Sequence, residues 1–239
     1  NITEGQLRIT HSNALGTGAV SITDDGANSN REPSLELDAA GLLVANDITI
    51  TNDGFLKRLR FDMTGTGNTS EISGTLTLLE TTDRIIGVTA GSGETLVLSG
   101  QVRGAGVLTV QGNSGGTVKL TNDTSDHTGV VLVRQGGTLE ISSIADAGVA
   151  SSVGAGSSVT LGYRNETGTL RYVGDCDSTN RQIRIGEDFS GTNRTGGGTI
   201  DANGTGALVF TNSVFNEAEV GAWVGARTLT LVGSNSGAN

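Results

Sequence analysis

Short apolar–polar–apolar triplets recur along the chain and form its most regular pattern. A triplet of this kind is typical of a strand that buries alternate side chains on one face. Gly, Asn, Asp, Ser and Thr fill the intervals, and these residues favour turns. The pattern therefore predicts short strands about twelve residues apart, in triplets that begin at Leu7, Val20, Leu35, Ile48, Leu59, Leu76, Leu96, Leu108, Val118, Val131, Leu139, Val159, Leu170, Ile183, Leu208 and Leu229, with weaker members near Ile85 and Ile200.

Evenly spaced short strands are typical of a sandwich or of a solenoid. Two-residue hairpin turns between apolar runs are nearly absent, and Asn203-Gly204 is the one candidate. The strands are also uniformly short, and the order of motifs along the chain recurs. These observations favour an all-β solenoid, in which each coil covers the apolar face of the next.

The recurring order of motifs predicts a long super-repeat. Leu7-Arg8-Ile9 corresponds to Leu139-Glu140-Ile141, and Leu108-Thr109-Val110 corresponds to Leu229-Thr230-Leu231. The copies would span residues 5–136 and 137–239, with the second copy incomplete. We therefore expect residues 1–239 to form a single β-solenoid segment of a longer repeat protein.

Three stretches resemble the autotransporter-associated β-strand repeat. Residues 104–112 read Gly-Ala-Gly-Val-Leu-Thr-Val-Gln-Gly, residues 128–133 read Thr-Gly-Val-Val-Leu-Val, and residues 136–141 read Gly-Gly-Thr-Leu-Glu-Ile. The resemblance is close over residues 104–142 and looser elsewhere, and His127 stands where the family usually has an aromatic residue. It implies a right-handed parallel β-helix in a long passenger on a bacterial surface, anchored to the outer membrane in the parent protein.

Composition and charge narrow the class of partner. Only 3% of the residues are aromatic, so many small aliphatic side chains must supply the core. The formal charge is −10 with two lysines, Lys57 and Lys119, and no basic patch is visible. Nucleic-acid binding through phosphates and contact of this segment with an anionic membrane therefore have no electrostatic basis. We expect no cofactor.

Two polar strings are weak candidates for calcium, which prefers six to eight oxygen ligands. Each string supplies at most four side chains, and neither has the glycine and distal glutamate of a calcium-binding loop. We therefore expect these carboxylates to be solvated turn residues. The strings contain Asp25, Asn28, Asn30 and Glu32, and Asp175, Asp177 and Asn180.

Other candidate chemistry is sparse. The densest acidic clusters, Asp24-Asp25 with Glu32, Asp175 with Asp177, and Glu187-Asp188, lack the aromatic platform of a sugar cleft apart from Tyr172. The two histidines, His11 and His127, have no zinc spacing. We interpret Trp223 as a packing residue more readily than as a surface anchor. Cys176 has no internal disulfide partner.

We predict a structural or adhesive stalk segment rather than an enzyme. Its partners would be other copies of itself or ligands on cell surfaces and matrix. A subunit of an extracellular fibre, sheath or coat is the alternative, and a carbohydrate-active β-helix enzyme is the third interpretation.

Overall fold

The computed structural model describes residues 1–23, 32–52, 57–61, 66–80, 86–113, 115–187, 195–212 and 227–235. All regular elements in these ranges are strands, and every apolar triplet predicted from the sequence lies in one. The strands are β1 (Gln6–Ile9), β2 (Val20–Ile22), β3 (Ser34–Leu37), β4 (Leu43–Val44), β5 (Ile48–Asn52), β6 (Lys57–Phe61), β7 (Thr69–Ile72), β8 (Leu76–Glu80), β9 (Ile86–Ala90), β10 (Thr95–Leu98), β11 (Val102–Gly104), β12 (Leu108–Gln111), β13 (Thr117–Leu120), β14 (Val131–Arg134), β15 (Gly137–Ile141), β16 (Ser158–Tyr163), β17 (Thr167–Tyr172), β18 (Asp177–Thr179), β19 (Gln182–Glu187), β20 (Gly197–Ala202), β21 (Leu208–Phe210) and β22 (Leu229–Val232).

The strands stack in parallel on the faces of a solenoid. The first face is an eight-stranded sheet in the order β1-β3-β6-β9-β12-β14-β16-β19. The second face is an eight-stranded sheet in the order β4-β7-β10-β13-β15-β17-β20-β22. The third face holds β2-β5-β8-β11 as one sheet and β18-β21 as another. The predicted all-β parallel solenoid is confirmed.

Columns of aliphatic side chains fill the interior. On the first face Leu35, Leu59 and Val88 follow one another in register, and all three are fully buried. Burying each such side chain contributes about 1.5–3 kcal/mol, so the core accumulates stability coil by coil mainly from aliphatic residues. Phe61 and Tyr172 are the large aromatic side chains that are fully buried with them in the described residues. At one corner the coils approach so closely that a Cβ on Gly129 would lie 2.0 Å from the carbonyl oxygen of Gly106.

Four strands carry no apolar triplet and were not predicted: β4, β7, β11 and β18. In β7 the inward position belongs to Ser70, which is buried. Its hydroxyl donates to the carbonyl of Ala39 at 2.9 Å and accepts from the amide of Leu42 at 3.1 Å. A small polar residue can therefore stand in an aliphatic column when neighbouring backbone satisfies its hydroxyl.

The super-repeat stays a prediction, but the structure locates its matched motifs. Leu7 lies on the first face in β1, whereas its counterpart Leu139 lies on the second face in β15. Leu108 in β12 and Leu229 in β22 show the same displacement. The matched motifs thus lie one face apart, so the interval between them is not a whole number of coils.

Candidate functional site

The outer surface of the second face carries two regular columns of side chains. The first is a threonine column, in which successive strands place threonine opposite threonine. Its members are Thr69, Thr95, Thr117, Thr138, Thr169, Thr199 and Thr230. The end members Thr69 and Thr230 are exposed, and those between are half-buried. β-Branched residues at adjacent positions on one sheet face stabilise the pairing of the strands.

A second column, here called the charge column, lies beside the threonines. In strand order from β7 to β22 its members are Glu71, Val97, Lys119, Glu140, Arg171, Asp201 and Val232. The signs of the four central charges alternate along the solenoid axis. Val97 and Val232 flank these four charges, and Glu71 lies beyond Val97.

Ion pairs connect the charges of this column from strand to strand. The Lys119 Nζ lies 2.8 Å from a Glu140 carboxylate oxygen, and the Arg171 Nε lies 2.9 Å from Asp201. Arg171 also reaches Glu140, with 3.6 Å between Nη1 and the carboxylate. The hydrogen bond to Asp201 raises the pKa of Arg171 above its ordinary value. The Arg171 guanidinium therefore remains charged over the physiological pH range.

The third face changes character after β11. Up to that strand its inward residues are aliphatic, whereas the chain that follows buries Ser125, His127, Ser152, Thr179 and Arg181. A longer connection, residues 142–157, bulges outward here, and we call it the corner loop. Its tip at residues 146–150 is exposed.

A single buried guanidinium holds the corner loop. Arg181 is only 1% exposed. Its Nε donates to the carbonyl of Ala145 at 2.7 Å, and its Nη2 donates to Gly154 at 2.7 Å and to Val149 at 3.0 Å. Further bonds reach the carbonyls of Asp146 and Gly156. These bonds satisfy loop carbonyls that no strand pairs with.

Burial shifts the pKa of both basic side chains in this region. Desolvation lowers the pKa of Arg181 to about 10, against an opposing effect of Asp146, so the guanidinium stays charged at neutral pH. Desolvation, followed by repulsion from Arg181, lowers the pKa of His127 to about 4. Within the part of the chain described, neither ring nitrogen of the fully buried His127 has a hydrogen-bond partner.

The corner loop borders a shallow cleft of about 430 Å3. Its rim includes two exposed apolar residues, Val149 at 52% and Val209 at 40% exposure. Cys176, which is free and exposed, and Asp177 also line it. Sequence reasoning considered Cys176 and Asp177 separately and did not predict this cleft.

The structure places three of the weak calcium candidates in hydrogen bonds that join neighbouring coils. Asp175 accepts from the hydroxyl of Thr205 at 2.7 Å, and Asp177 accepts from the amide of Ile144 at 2.9 Å. Asn180 accepts from the amide of Ala147 at 2.8 Å. In the other string, Glu32 is exposed and lies 3.1 Å from the Arg58 guanidinium. The expectation that these residues are turn carboxylates and not a calcium site stays a prediction.

Several predicted residues lie outside the described ranges. They are Asp24, Asp25, Asn28, Asn30, Asp188 and Trp223. Over the ranges that are described, no group of three or more His, Cys, Asp or Glu side chains is arranged to hold a metal ion. No helix in those ranges is long and apolar enough to cross a membrane.

The charge column is the feature that sequence reasoning missed most completely. Its signal is a recurring pentapeptide, Gly-Thr-apolar-charged-apolar, which occurs from Gly116, Gly137, Gly168 and Gly198. The intervals between copies are unequal. Only the strand register shows that the charged positions form one line.

Comparison with known proteins finds similarity to the Adhesin BmaC autotransporter of Brucella suis biovar 1 (strain 1330), at 35% identity over 155 residues. The match covers 64% of this chain, whereas it spans only 4% of that relative. No family model matches the chain, and no solved structure matches it. The chain is thus a parallel β-solenoid with sequence similarity to an autotransporter adhesin, and the resemblance to passenger β-helices is confirmed.

Proposed function

We propose that this chain is a stalk segment of a bacterial surface adhesin, with a lateral face that contacts ligands. Two eight-stranded parallel sheets running along one stack of coils support this role most directly, because backbone pairing at every step makes a stiff spacer. The similarity to an autotransporter adhesin supports location at the cell surface. In this proposal residues 1–239 are one segment of a longer solenoid, with the super-repeat described above.

The second face is the surface best suited to contact. It is regular along the whole stack, and it presents hydroxyl groups and charges of both signs. Such a surface favours many weak polar contacts over one deep pocket. Adhesion would then depend on the number of coils engaged, because linked weak sites add through effective concentration.

A competition assay tests the adhesive role. Source cells bearing the native parent protein are allowed to attach to a mammalian cell layer or to a matrix-coated surface, with increasing amounts of the purified 239-residue chain present. We expect saturable inhibition by the folded chain and none by the same chain after heat unfolding. Attachment that the folded chain does not reduce at any concentration would limit this segment to a spacer.

A further inference from the structure

The charge column is complementary to its own reverse. From Val97 to Val232 it runs apolar, positive, negative, positive, negative, apolar in strand order. Glu71, beyond Val97, has no counterpart in this series. When a second copy is rotated by 180° so that its column runs in the opposite direction, Lys119 of one copy faces Asp201 of the other, and Glu140 faces Arg171. The two valines, Val97 and Val232, then lie against each other. The midpoint of this symmetry falls between β15 and β17.

We infer that the second face is a docking surface for a second copy of this chain, packed antiparallel about a twofold axis between β15 and β17. This inference rests on the proposed function and names the partner of that face. The twofold axis repeats each contact, so Glu140 of the first copy faces Arg171 of the second, and Arg171 of the first faces Glu140 of the second. The threonine columns then meet as well, with Thr138 opposite Thr169 and Thr117 opposite Thr199.

The same geometry excludes the neighbouring arrangements. A parallel pair, related by an axis along the solenoid, lays the charge column of one copy over the threonine column of the other. Its charges then lose water without gaining an opposite charge. An antiparallel pair displaced by one strand places Glu140 against its own symmetry mate and Lys119 against Arg171. Like charges at such distances are unfavourable, so the column specifies the register as well as the direction.

The size of the face sets the expected strength. An axis between β15 and β17 overlaps six strands of each copy, β10 to β22. At about 4.8 Å apart and about four residues wide, they give a contact of roughly 24 by 13 Å, or about 310 Å2 per copy. Stable interfaces bury about 800 Å2 per partner, so this pair belongs to the weak, transient class. Pairing through the charge column is also salt-dependent, because these side chains are partly exposed. On a cell surface, a longer solenoid would repeat the contact and raise its avidity.

Sedimentation equilibrium of the purified chain at low ionic strength tests the inference with two single variants. Glu140→Arg places a positive charge opposite Arg171 of the second copy, and Arg171→Glu places a negative charge opposite Glu140. We expect each variant alone to lose about tenfold or more in dimer affinity. An equimolar mixture of the two should dimerise again, because each substituted position then faces its opposite charge.

The double variant Glu140→Arg/Arg171→Glu is the matched control. It keeps the reversed column self-complementary, so it should dimerise by itself. Arg103→Glu, on the exposed side of β11, changes charge on another face and should leave the dimer unchanged. Circular dichroism checks that every variant is folded. Mixing changes neither sequence, so a dimer that forms only in the mixture cannot result from improved folding of either variant.

Three results would overturn the inference. They are wild-type protein that stays monomeric at the highest soluble concentration, single variants that dimerise as the wild type does, and a mixture that does not recover. A dimer that persists in about 1 M NaCl, where the Debye length is about 3 Å, would also contradict an interface based on this column. The competition assay on a foreign surface is independent of these outcomes, so the adhesive proposal and the antiparallel pair fail separately.

Discussion

The third face of the solenoid is closed in two different ways along its length. From β2 to β11 it is a parallel ladder over aliphatic columns, in which Ile22, Ile50 and Leu78 stack in register and are fully buried. Beyond β11 the third face buries His127 and Arg181, and Arg181 donates to loop carbonyls in place of the ladder, which resumes between β18 and β21. The backbone requirement is the same in both regions, because buried carbonyl groups must be satisfied.

The comparison shows how differently the two solutions distribute stability. In the aliphatic region each residue contributes a little, and the contribution is not directional. In the polar region one guanidinium satisfies carbonyls on both arms of the corner loop. In a directional network of this kind, much of the stability depends on a few residues, so substituting one of them costs more. It also introduces a buried imidazole whose charge depends on pH.

Removing the guanidinium should have the largest effect. We expect Arg181→Met to lower the free energy of unfolding by about 3–5 kcal/mol, since it removes the donor of the Val149 and Gly156 carbonyls and one of two donors at Ala145 and Gly154. Urea unfolding followed by circular dichroism measures the change. Arg103→Met is the matched control on the aliphatic side, because Arg103 is 54% exposed and its ion pair with Asp126 is open to water. That control should cost less than about 1 kcal/mol. Similar losses for both would mean that Arg181 does not hold the loop.

Acid should weaken the polar region through His127. The pKa in the folded state is about 4 and the ordinary value is 6.5. Between these values the unfolded chain binds a proton that the folded chain does not, so stability falls as the pH drops from about 6.5 to about 4. The loss from this group approaches about 3 kcal/mol and does not increase at lower pH.

Substituting the imidazole isolates this contribution. His127→Phe keeps a buried ring but cannot be protonated, so its unfolding free energy should lack the pH-dependent loss that His127 causes. Unfolding curves at pH 7, 5 and 4 compare the variant with the wild type. If the two proteins show the same pH dependence, the buried histidine does not cause it.

The contact between Gly154 and His127 should be the next most sensitive point. Gly154 has φ of +82°, and a Cβ there would lie 2.1 Å from the His127 Nδ1 atom. We expect Gly154→Ala to cost about 2–3 kcal/mol, from backbone strain and overpacking together. Gly148→Ala is the matched control, since Gly148 has φ of +86° but nothing within 4 Å of the added carbon. The control should cost about 1 kcal/mol. Equal costs would show that packing on the histidine is not tight.

The smallest effect should come from the aliphatic column. Ile50→Val removes one methylene group from a fully buried side chain and should cost about 1 kcal/mol. Thr49→Ser, which removes one methyl group from the outward side of the same strand, should cost less than about 0.5 kcal/mol. Thermal unfolding of both variants provides the measurement. A loss at Ile50 as large as that at Arg181 would contradict the distributed stability of this region.

The sequence predicted the strands well because period-two alternation reports burial directly. Every triplet lies in a strand. In Val118-Lys119-Leu120, for example, the first and third side chains are buried and the middle one is partly exposed. The rule failed at β7 and β18, where Ser70 and Thr179 occupy buried positions. A hydroxyl group in the core depends on a backbone partner from another coil. That partner cannot be read from residues near it in sequence.

The functional face was harder to predict, for a geometric reason. The fixed register between neighbouring strands places Lys119, Glu140, Arg171 and Asp201 in one line. The connections between these strands differ in length, so the line has no regular spacing in the sequence. Because the connections differ in length, the sequence also did not predict the contact between Arg181 and the carbonyl of Ala145. Local patterns therefore predicted which residues are strands, and three-dimensional stacking determined which residues are neighbours.

The hydrogen bonds from Arg181 to the corner loop determine where that loop can accept inserted residues. Its bonds reach Ala145 and Asp146 on one arm and Val149, Gly154 and Gly156 on the other, so Ala147 and Gly148, within the exposed tip, lie between the two sets of bonds. Foreign residues spliced in at Gly148 would leave the loop closed at its base. This position is where homologous chains would tolerate differences in length, and where a peptide epitope could be displayed on an intact rod.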